Sequence, residues 1–556
     1  MTADNGSFEN DRLEAAGLFA HTMIVVDDEA SQGESEHLTK QESEVITPPR
    51  RGAARAAADK QDEENLDIKH ALDAKVLIDN AMELGLICSV LRPEKGEDLK
   101  ERVRKAAERA DIVCLDWEIY GDDGETAKAL ITEIVRSDSE RHGRLRLIAI
   151  YTGERDKQGI LNNVLSIFSE SERQNRNIKK HQDAEIVTSD GLRIVYLFKK
   201  HGTRLPHELL HYQVSEEELP ARLLREFARL SEGLLSNVAL ATIASVRNVA
   251  HHVVQKFNSR MDGPYFHHRA TLTTPDDAED YAVEIVLSEL KSAIDKQLVA
   301  RRYAGSEAIE ARIRNIAGDR SQLHLSYEDK GEIKHCDLNI DDVVKLIVDG
   351  CKDAHDNLTV SNKPSKARIR ESVSSLFGSK PDDTKANMRE FASLTGIRAH
   401  PGNYLFGSGN YRPVLGLGSV VQDKAKQYWI CLQASCDSVR LDENTAFLFA
   451  PLFKVKTKPE IVTPDPDEAG RGKFLPLKLE DTAYAKTISV MFLPDEGTRT
   501  VKAVTIRGRK GLYFKGVKRK NYLWVADLKQ RRALRIAQRL GQEMGRLGFD
   551  EFEPFR

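Results

Sequence analysis

The sequence has few cysteines, no long apolar run and little net charge, and each absence excludes a class of protein. Its 556 residues include six cysteines without a CxxC pair, so a disulfide framework is not expected. No apolar stretch approaches the roughly 18 residues that indicate a membrane span, and the N-terminus lacks the basic start and apolar core of a secretory signal. The net charge of -4 commits the chain to neither nucleic acid nor membrane. We therefore expect a cytoplasmic protein.

Two common catalytic motifs are missing as well. The sequence contains neither a GxxxxGK phosphate loop nor a nucleophile elbow. We therefore expect no separate enzymatic activity, and the function has to be inferred from local clusters of residues.

The length predicts two to four domains, and changes in composition along the chain suggest three. We expect an N-terminal tail at 1–20, an α/β domain at 21–205, a helical domain at 206–398 and a β-rich, α+β domain at 399–556 that ends in a basic helix. Residues 30–66 are polar and contain a Pro-Pro pair, which predicts a disordered insertion.

The first domain alternates short apolar strands with amphipathic helices. The segments MIVVDD, LICSVL, DIVCLD, LRLIAIYT and LRIVYLFKK predict five strands, separated by segments with helical spacing of apolar residues. Such β-α steps require right-handed crossovers and therefore a doubly wound, five-stranded parallel sheet with helices on both faces. Ligands of such sheets bind outside the carboxyl ends of the strands.

Charged and hydroxyl side chains follow these strands where they end. Asp27 and Asp28 end the first strand, Asp116 the third, Thr152 the fourth and Lys199 the fifth. Three neighbouring carboxylates repel one another unless a cation neutralises them, and Mg²⁺ prefers oxygen ligands. Asp116 could then attack phosphorus, with Lys199 balancing charge and Thr152 donating its hydroxyl to a phosphoryl oxygen.

Each of these residues also has an ordinary interpretation. Taken singly, the aspartates fit turns or helix caps, Thr152 a solvated strand end and Lys199 a surface charge. Their joint occurrence at successive strand ends favours a phosphoryl-acceptor site.

These segments resemble the receiver domains of two-component response regulators, which have a flavodoxin-like fold. The residues that carry the resemblance stand in VVDDE, LDWEIYGDDG, AIYTGE and YLFKK. The resemblance implies Mg²⁺ bound by Asp27, Asp28, Asp116 and the backbone carbonyl of Glu118, and a phosphoryl acceptor at Asp116. It also implies a loop glycine at Gly124, an essential lysine at Lys199, and a switch pair, Thr152 and Tyr196. Tyr120 and Lys200 depart from the pattern, because receivers usually have proline at both positions.

The region after the receiver resembles the long form called the response receiver domain, found in bacterial proteins. The resemblance lies in LSEGLLSNVALATIASVRNVAHHVVQKF, DDAEDYAVEIVLSEL and YWICLQASCDSVRL. It implies a GHKL-type histidine kinase as the partner, in a bacterial stress or anti-phage system. Phosphorylation would then draw Thr152 inward and reorient Tyr196, and the later domains would carry the response.

The C-terminal region suggests a different partner. Residues 501–540 hold thirteen basic residues and one acid, Asp527, interleaved with Tyr513, Phe514, Tyr522 and Trp524. Such a mixture suits phosphate contacts and base stacking. The candidate contacts are Arg507, Arg509, Lys510, Lys515, Lys518, Arg519 and Lys520.

Three alternatives therefore remain open from the sequence. The basic region could bind nucleic acid, or it could dock on an acidic part of the chain or on a kinase. The chain could instead be an interaction adaptor with an inactive receiver. An apolar stripe along a predicted helix from 219 to about 257 fits either a core or a homodimer seam.

Overall fold

The structure is a computed structural model that describes most of the chain. It covers residues 5–31, 72–96, 98–140, 143–181, 185–188, 191–200, 206–360, 363–378, 380–401, 412–465, 473–480 and 482–544. The predicted insertion at 30–66 lies outside these residues, apart from Ala30 and Ser31.

The described part of the chain divides into two compact units, at boundaries that differ from those predicted. The first unit comprises Met1–Gln322 and Asn339–Leu358, and the second comprises Leu323–Leu338 and Thr359–Arg556. The region predicted as a helical domain at 206–398 is therefore split between the two units. It also contains a two-stranded antiparallel hairpin, which the sequence analysis did not predict.

The first unit is built on a mostly parallel sheet, which confirms the predicted fold class. Within the described residues it has eight strands, in the order β2-β1-β3-β4-β7-β6-β5, with β8 beside β7. They are β1 (Thr22–Val26), β2 (Ile87–Leu91), β3 (Ile112–Leu115), β4 (Arg146–Thr152), β5 (Lys179–His181), β6 (Glu185–Val187), β7 (Leu192–Lys199) and β8 (Gln213–Val214).

The five predicted strands are the parallel core of this sheet, and the other three are additions. Strands β1, β2, β3, β4 and β7 pair in parallel. Strands β5 and β6 extend the β7 edge in antiparallel pairing, and β8 is a short parallel addition there. All residues of β3, β4 and β7 are buried. This burial on both faces of the sheet explains why the sequences of these strands are nearly continuous apolar runs.

The helices of the first unit cover both faces of the sheet and continue into the helical region. They are α1 (Asn5–Phe19), α2 (Ala74–Glu83), α3 (Leu99–Ala107), α4 (Glu125–Glu140), α5 (Lys157–Leu165), α6 (Glu170–Asn175), α7 (His207–Leu210), α8 (Leu219–Ala228), α9 (Leu234–Lys256), α10 (Asp262–Thr271), α11 (Asp277–Asp295), α12 (Val299–Ala304), α13 (Ser306–Ala317), α14 (Ile340–Val348) and α15 (Cys351–Ala354). Helix α3 illustrates the local logic: Asp98 caps its first turn, and Leu99, Val103 and Ala107 form its buried stripe.

Two predictions about these helices are wrong. The residues predicted as an N-terminal tail form α1, because Phe8, Ala15 and Ala16 are buried within the first unit. The single helix predicted from 219 to about 257 is two helices, α8 and α9, since the chain turns between them and Gly233 caps α9 in an extended conformation.

The second unit has an antiparallel sheet with helices packed against it. Its hairpin consists of β9 (Gln322–Asp329) and β10 (Glu332–Asn339). Its larger sheet comprises β11 (Ile397–Ala399), β12 (Ser419–Gln422), β13 (Tyr428–Cys431), β14 (Thr445–Lys454), β15 (Ile461–Pro464), β16 (Phe474–Leu479), β17 (Ile488–Phe492), β18 (Val504–Thr505), β19 (Leu512–Lys515) and β20 (Asn521–Leu528). Its helices are α16 (Lys366–Ser372), α17 (Pro381–Gly396) and α18 (Gln530–Met544). The basic helix predicted at the end of this region is α18, which follows β20 directly.

No helix in the described part of the chain combines the length and the apolar character needed to cross a bilayer.

Candidate functional site

Two carboxylates, a hydroxyl and an ammonium lie at the carboxyl edge of the first sheet. Strands β1 and β3 end in register, with Val26 opposite Leu115, so Asp27 and Asp116 follow side by side. Strands β4 and β7 also end together, which brings Thr152 and Lys199 to the same edge. The parallel arrangement therefore places these side chains where the strand ends predicted them.

Lys199 links the two carboxylates of this edge. Its Nζ atom lies 2.8 Å from Oδ2 of Asp27 and 2.5 Å from Oδ2 of Asp116. The exposed fraction is 1% for Asp27, 7% for Asp116 and 4% for Lys199. Lys199 is thus a buried countercharge of the acids, and not the surface charge that its residue type alone would suggest.

Burial and the neighbouring charges both shift the pKa values of Asp27 and Lys199. Burial raises the pKa of Asp27, the ammonium of Lys199 opposes that rise, and the charge of Asp116 adds to it. Burial alone would lower the pKa of Lys199, but the carboxylates of Asp27 and Asp116 outweigh it and raise that pKa. Both groups therefore bind their protons more tightly than in water, Asp27 chiefly because of burial and Lys199 because of the two carboxylates.

Asp28 faces the loop that follows Asp116. Its Oδ2 accepts a hydrogen bond from the backbone N–H of Tyr120 at 2.8 Å, and its backbone carbonyl accepts one from Nε of Arg92 at 3.1 Å. Its Oδ1 is buried and has no hydrogen-bond partner among the described residues. One oxygen of Asp28 is therefore fixed by the loop, and the other is unsatisfied.

The loop that follows Asp116, residues 117–124, departs from the receiver pattern at Tyr120, where the backbone has a left-handed conformation. Tyr120 has φ +66° and ψ +11°, a conformation that proline, with φ near −65°, cannot adopt. Proline also lacks the N–H that Asp28 accepts here. The loop geometry of this chain thus depends on a residue other than proline.

Gly124 is required by the packing of the same loop. It has φ +82°, and a Cβ at this position would overlap the indole of Trp117. Trp117 is buried in the core cluster beneath the sheet edge. The predicted loop glycine therefore lets the chain pass close to Trp117, the residue next to Asp116.

Thr152 and Tyr196 are joined through the segment after β4. Oγ1 of Thr152 accepts a hydrogen bond from the Glu154 N–H at 3.2 Å, and the Tyr196 hydroxyl donates to the Glu154 carbonyl at 2.6 Å. The Tyr196 ring is buried and meets Tyr212 edge-on, with 6.1 Å between ring centroids. The predicted switch residues thus share one backbone segment, with Tyr196 in an inward position.

The predicted metal ligands are only partly assembled. Among the described residues, no three Asp, Glu, His or Cys side chains lie together as a metal-holding group. In the described contacts, Lys199 holds Oδ2 of both Asp27 and Asp116, and the Tyr120 N–H engages only Oδ2 of Asp28. The Glu118 carbonyl accepts the Gly121 N–H at 3.0 Å, which leaves one of its two lone pairs.

The donor set nevertheless fits a hard dication. All candidate ligands are oxygens, which Mg²⁺ prefers. Three carboxylates and one ammonium leave two unbalanced negative charges, and the buried Asp28 Oδ1 lacks a partner among the described residues.

An ionic network that was not among the predicted sites links β6 and β7 to α8. Arg193, on β7, pairs with Glu185 and donates to Oε2 of Glu226, on α8, at 2.9 Å. Nε of Arg222 also donates to Glu226, at 2.9 Å. Burial alone would raise the pKa of Glu226, but Arg193, Arg222 and Arg229 together lower it. The available signal was an arginine inside an apolar strand, which predicts a buried partner.

The basic C-terminal region keeps its charge on the surface but not its aromatic rings. Arg507, Arg509, Lys510, Lys515, Lys518 and Lys520 are exposed, and the side-chain exposure of Arg519 is not described. Phe514, Tyr522 and Trp524 are buried in the core of the second unit. The prediction that these rings could stack on bases is therefore wrong for three of the four aromatics, because alternate residues of β19 and β20 face the core.

Comparison with known proteins identifies one part of the chain. Residues 19–204, about a third of the sequence, match the family model described as the response receiver domain. Neither the curated proteins nor the solved structures contain a match to this chain.

Proposed function

Because residues 19–204 are a response receiver domain, we propose that the protein accepts a phosphoryl group on Asp116 and transmits a signal. Such domains serve phosphoryl-accepting signal transduction with a kinase as the partner. The observation that carries the proposal is the buried ammonium of Lys199, held between Asp27 and Asp116 at the carboxyl edge of the sheet.

The transfer is a displacement at phosphorus. An oxygen of the Asp116 carboxylate forms the new bond to phosphorus, and the bond from phosphorus to the imidazole nitrogen of a donor phosphohistidine breaks. That nitrogen keeps the electron pair and takes up a proton from the solvent. Lys199 moves from Oδ2 of Asp116 to the transferred phosphoryl oxygens, and the Thr152 hydroxyl, whose oxygen accepts the Glu154 N–H, donates its own proton to one of those oxygens.

Asp27, Asp28, Asp116 and the Glu118 carbonyl would hold Mg²⁺ at this edge. When bound, the ion supplies the positive charge that offsets repulsion between the carboxylates and the incoming phosphoryl group. Asp28 would contribute its Oδ1, which is buried and has no hydrogen-bond partner among the described residues.

The proposed phosphoryl donor is a histidine kinase of the GHKL type, in a bacterial stress or anti-phage system. This part of the proposal rests on the resemblance of the sequence to the long response receiver form. The helical region and the second unit would carry the response.

Acetyl phosphate with Mg²⁺ tests the proposal on the full chain. We expect a mass gain of one phosphoryl group in the wild type, and none in Asp116→Asn or in the presence of a chelator. Asp123→Asn is the matched control, because Asp123 is an exposed residue of the same loop whose left-handed backbone asparagine tolerates. Asp123→Asn should gain the group like the wild type. An unmodified wild type, or labelling that persists in Asp116→Asn, would contradict the proposal and leave the adaptor alternative.

A further inference from the structure

Tyr120 holds an unusual backbone conformation in the acceptor loop. At φ +66° it lies in the left-handed region, which disfavours residues that carry a Cβ. Its N–H points at Asp28 and donates to Oδ2 at 2.8 Å. The conformation and the hydrogen bond belong together, since an ordinary right-handed φ at this residue would change the direction of the N–H.

The Tyr120 side chain fixes the residue from its other end. Its hydroxyl donates to the Glu94 carbonyl at 2.9 Å, and Nζ of Lys95 lies 6.0 Å from the ring centroid. The ring also packs against the core cluster of the first unit. These contacts connect the acceptor loop with the segment after β2, which also reaches the site through the hydrogen bond from Arg92 to the Asp28 carbonyl.

The two carboxylate oxygens of Asp28 therefore have different surroundings. Oδ2 is tied by a main-chain donor, while Oδ1 is buried without a partner among the described residues. A carboxylate tied in this way cannot rotate freely, so its second oxygen has a defined direction before any ligand arrives. Preorganisation of this kind reduces the cost of binding.

We propose that Tyr120 is a positioning residue that ties one oxygen of Asp28 and presents the other to a divalent cation. The inference rests on the proposed function, because it concerns the same acidic site. It adds a role for a main-chain N–H that proline could not supply.

A first test is independent of metal and phosphate. Amide exchange at Tyr120, followed by mass spectrometry with fragmentation in the full chain, should be slow in the wild type. It should become at least about tenfold faster in Asp28→Ala, consistent with the loss of a hydrogen bond to a charged acceptor. Equal exchange in the two proteins would overturn the proposal, whatever the outcome of phosphorylation.

A second test compares Tyr120→Pro with Tyr120→Gly in a Mg²⁺ titration followed by Trp117 fluorescence. Glycine retains the N–H and tolerates the positive φ, so Mg²⁺ binding should weaken by no more than about threefold. Proline lacks the N–H and cannot adopt the angle, so binding should weaken by about tenfold or more. Tyr120→Phe, which loses only the hydroxyl, should stay close to glycine.

The outcomes separate the two proposals. A wild type that binds no Mg²⁺ removes the Mg²⁺-dependent function and the inference together. A wild type that binds Mg²⁺, with proline and glycine variants of equal affinity, removes the inference alone. If Tyr120→Pro does not fold, as judged by circular dichroism, the amide-exchange comparison decides.

Discussion

Replacing Lys199 with methionine would remove the only ammonium that contacts Asp27 and Asp116 among the described residues. Methionine keeps most of the volume of the side chain, so the change is chiefly electrostatic. Two nearly buried carboxylates would then face each other without a countercharge. This perturbation tests the electrostatic basis of the site without any phosphate donor.

The expected loss of stability is large. Removing one partner of a buried ion pair costs about 3–5 kcal/mol, because the remaining charge is left uncompensated. The pKa of Asp27 is already raised by burial, and without Lys199 it should rise further. A carboxylate whose pKa is raised in the folded state destabilises that state once pH exceeds the ordinary value of about 3.9. The penalty should therefore be greatest near pH 7 and should shrink as the pH falls towards 4.

Urea unfolding followed by Trp117 fluorescence would measure this loss. The other tryptophans, Trp429 and Trp524, lie in the second unit and would be replaced by phenylalanine, so that the signal reports on the first unit. Lys200→Met is the matched control, because Lys200 is exposed and should change stability by no more than about 0.5 kcal/mol.

Repeating the unfolding of Lys199→Met with added Mg²⁺ gives a second test of the same electrostatic argument. A dication at the acidic edge should partly replace the lost ammonium, and a ligand at one hundred times its Kd stabilises by about 2.7 kcal/mol. A loss below about 1 kcal/mol in Lys199→Met, with no dependence on pH, would refute the view that this lysine neutralises a buried acidic site.

Three further predictions concern the surroundings of the site. Gly124→Ala should destabilise the first unit by about 2–5 kcal/mol, because the new Cβ overlaps Trp117 at a residue with positive φ. Gly121→Ala, where φ is also positive but the space is open, should cost only about 1 kcal/mol. Equal losses of unfolding free energy in urea would contradict the packing argument. Glu226→Gln should cost about 1–3 kcal/mol of unfolding free energy at pH 7. Because the pKa of Glu226 is lowered in the folded protein, the wild type should lose this stabilisation as the pH falls below about 4.3. The unfolding free energy of the wild type should therefore depend more steeply on pH than that of the variant. Tyr196→Phe removes the hydrogen bond to the Glu154 carbonyl, which should cost about 1 kcal/mol of stability and make amide exchange faster in the segment after β4. Unchanged exchange would show that this hydrogen bond does not stabilise the segment.

The parallel core could be predicted from the sequence because its signals are local. Each core strand is a short, nearly continuous apolar run, and parallel strands place their carboxyl ends at one edge. The positions of Asp27, Asp116 and Lys199 follow from those two facts. The contacts of Lys199 with both acids add the geometry that the pattern could only suggest.

Features that depend on distant contacts could not be predicted in this way. The apolar spacing continues from Leu230 to Leu234, so periodicity gives no sign that the chain turns between α8 and α9. The left-handed conformation of Tyr120 depends on Asp28, which lies 92 positions away in the sequence. The hairpin of β9 and β10 turns at Lys330 and Gly331, and its buried residues lie only at the ends far from that turn, at Leu323 and Leu325 on β9 and at Cys336 and Leu338 on β10. So short an alternation gives a weak strand signal between helical patterns.

Strand β7 joins the acidic edge to the helical region, and this gives the proposed signal a physical route. Lys199 at its end contacts Asp116, Tyr196 contacts the segment after Thr152, and Arg193 holds Glu226 on α8. If Lys199 leaves Asp116 for a phosphoryl group, the end of β7 loses its ion pair with Asp116, while Arg193 keeps its ion pair with Glu226 on α8. A shift of the strand must then alter either the Tyr196 contact or the Arg193 pair, because interiors are close-packed and transmit strain. Coupling is therefore expected to pass from the site through β7 to α8, and the Glu226→Gln variant should weaken it without removing the acceptor chemistry.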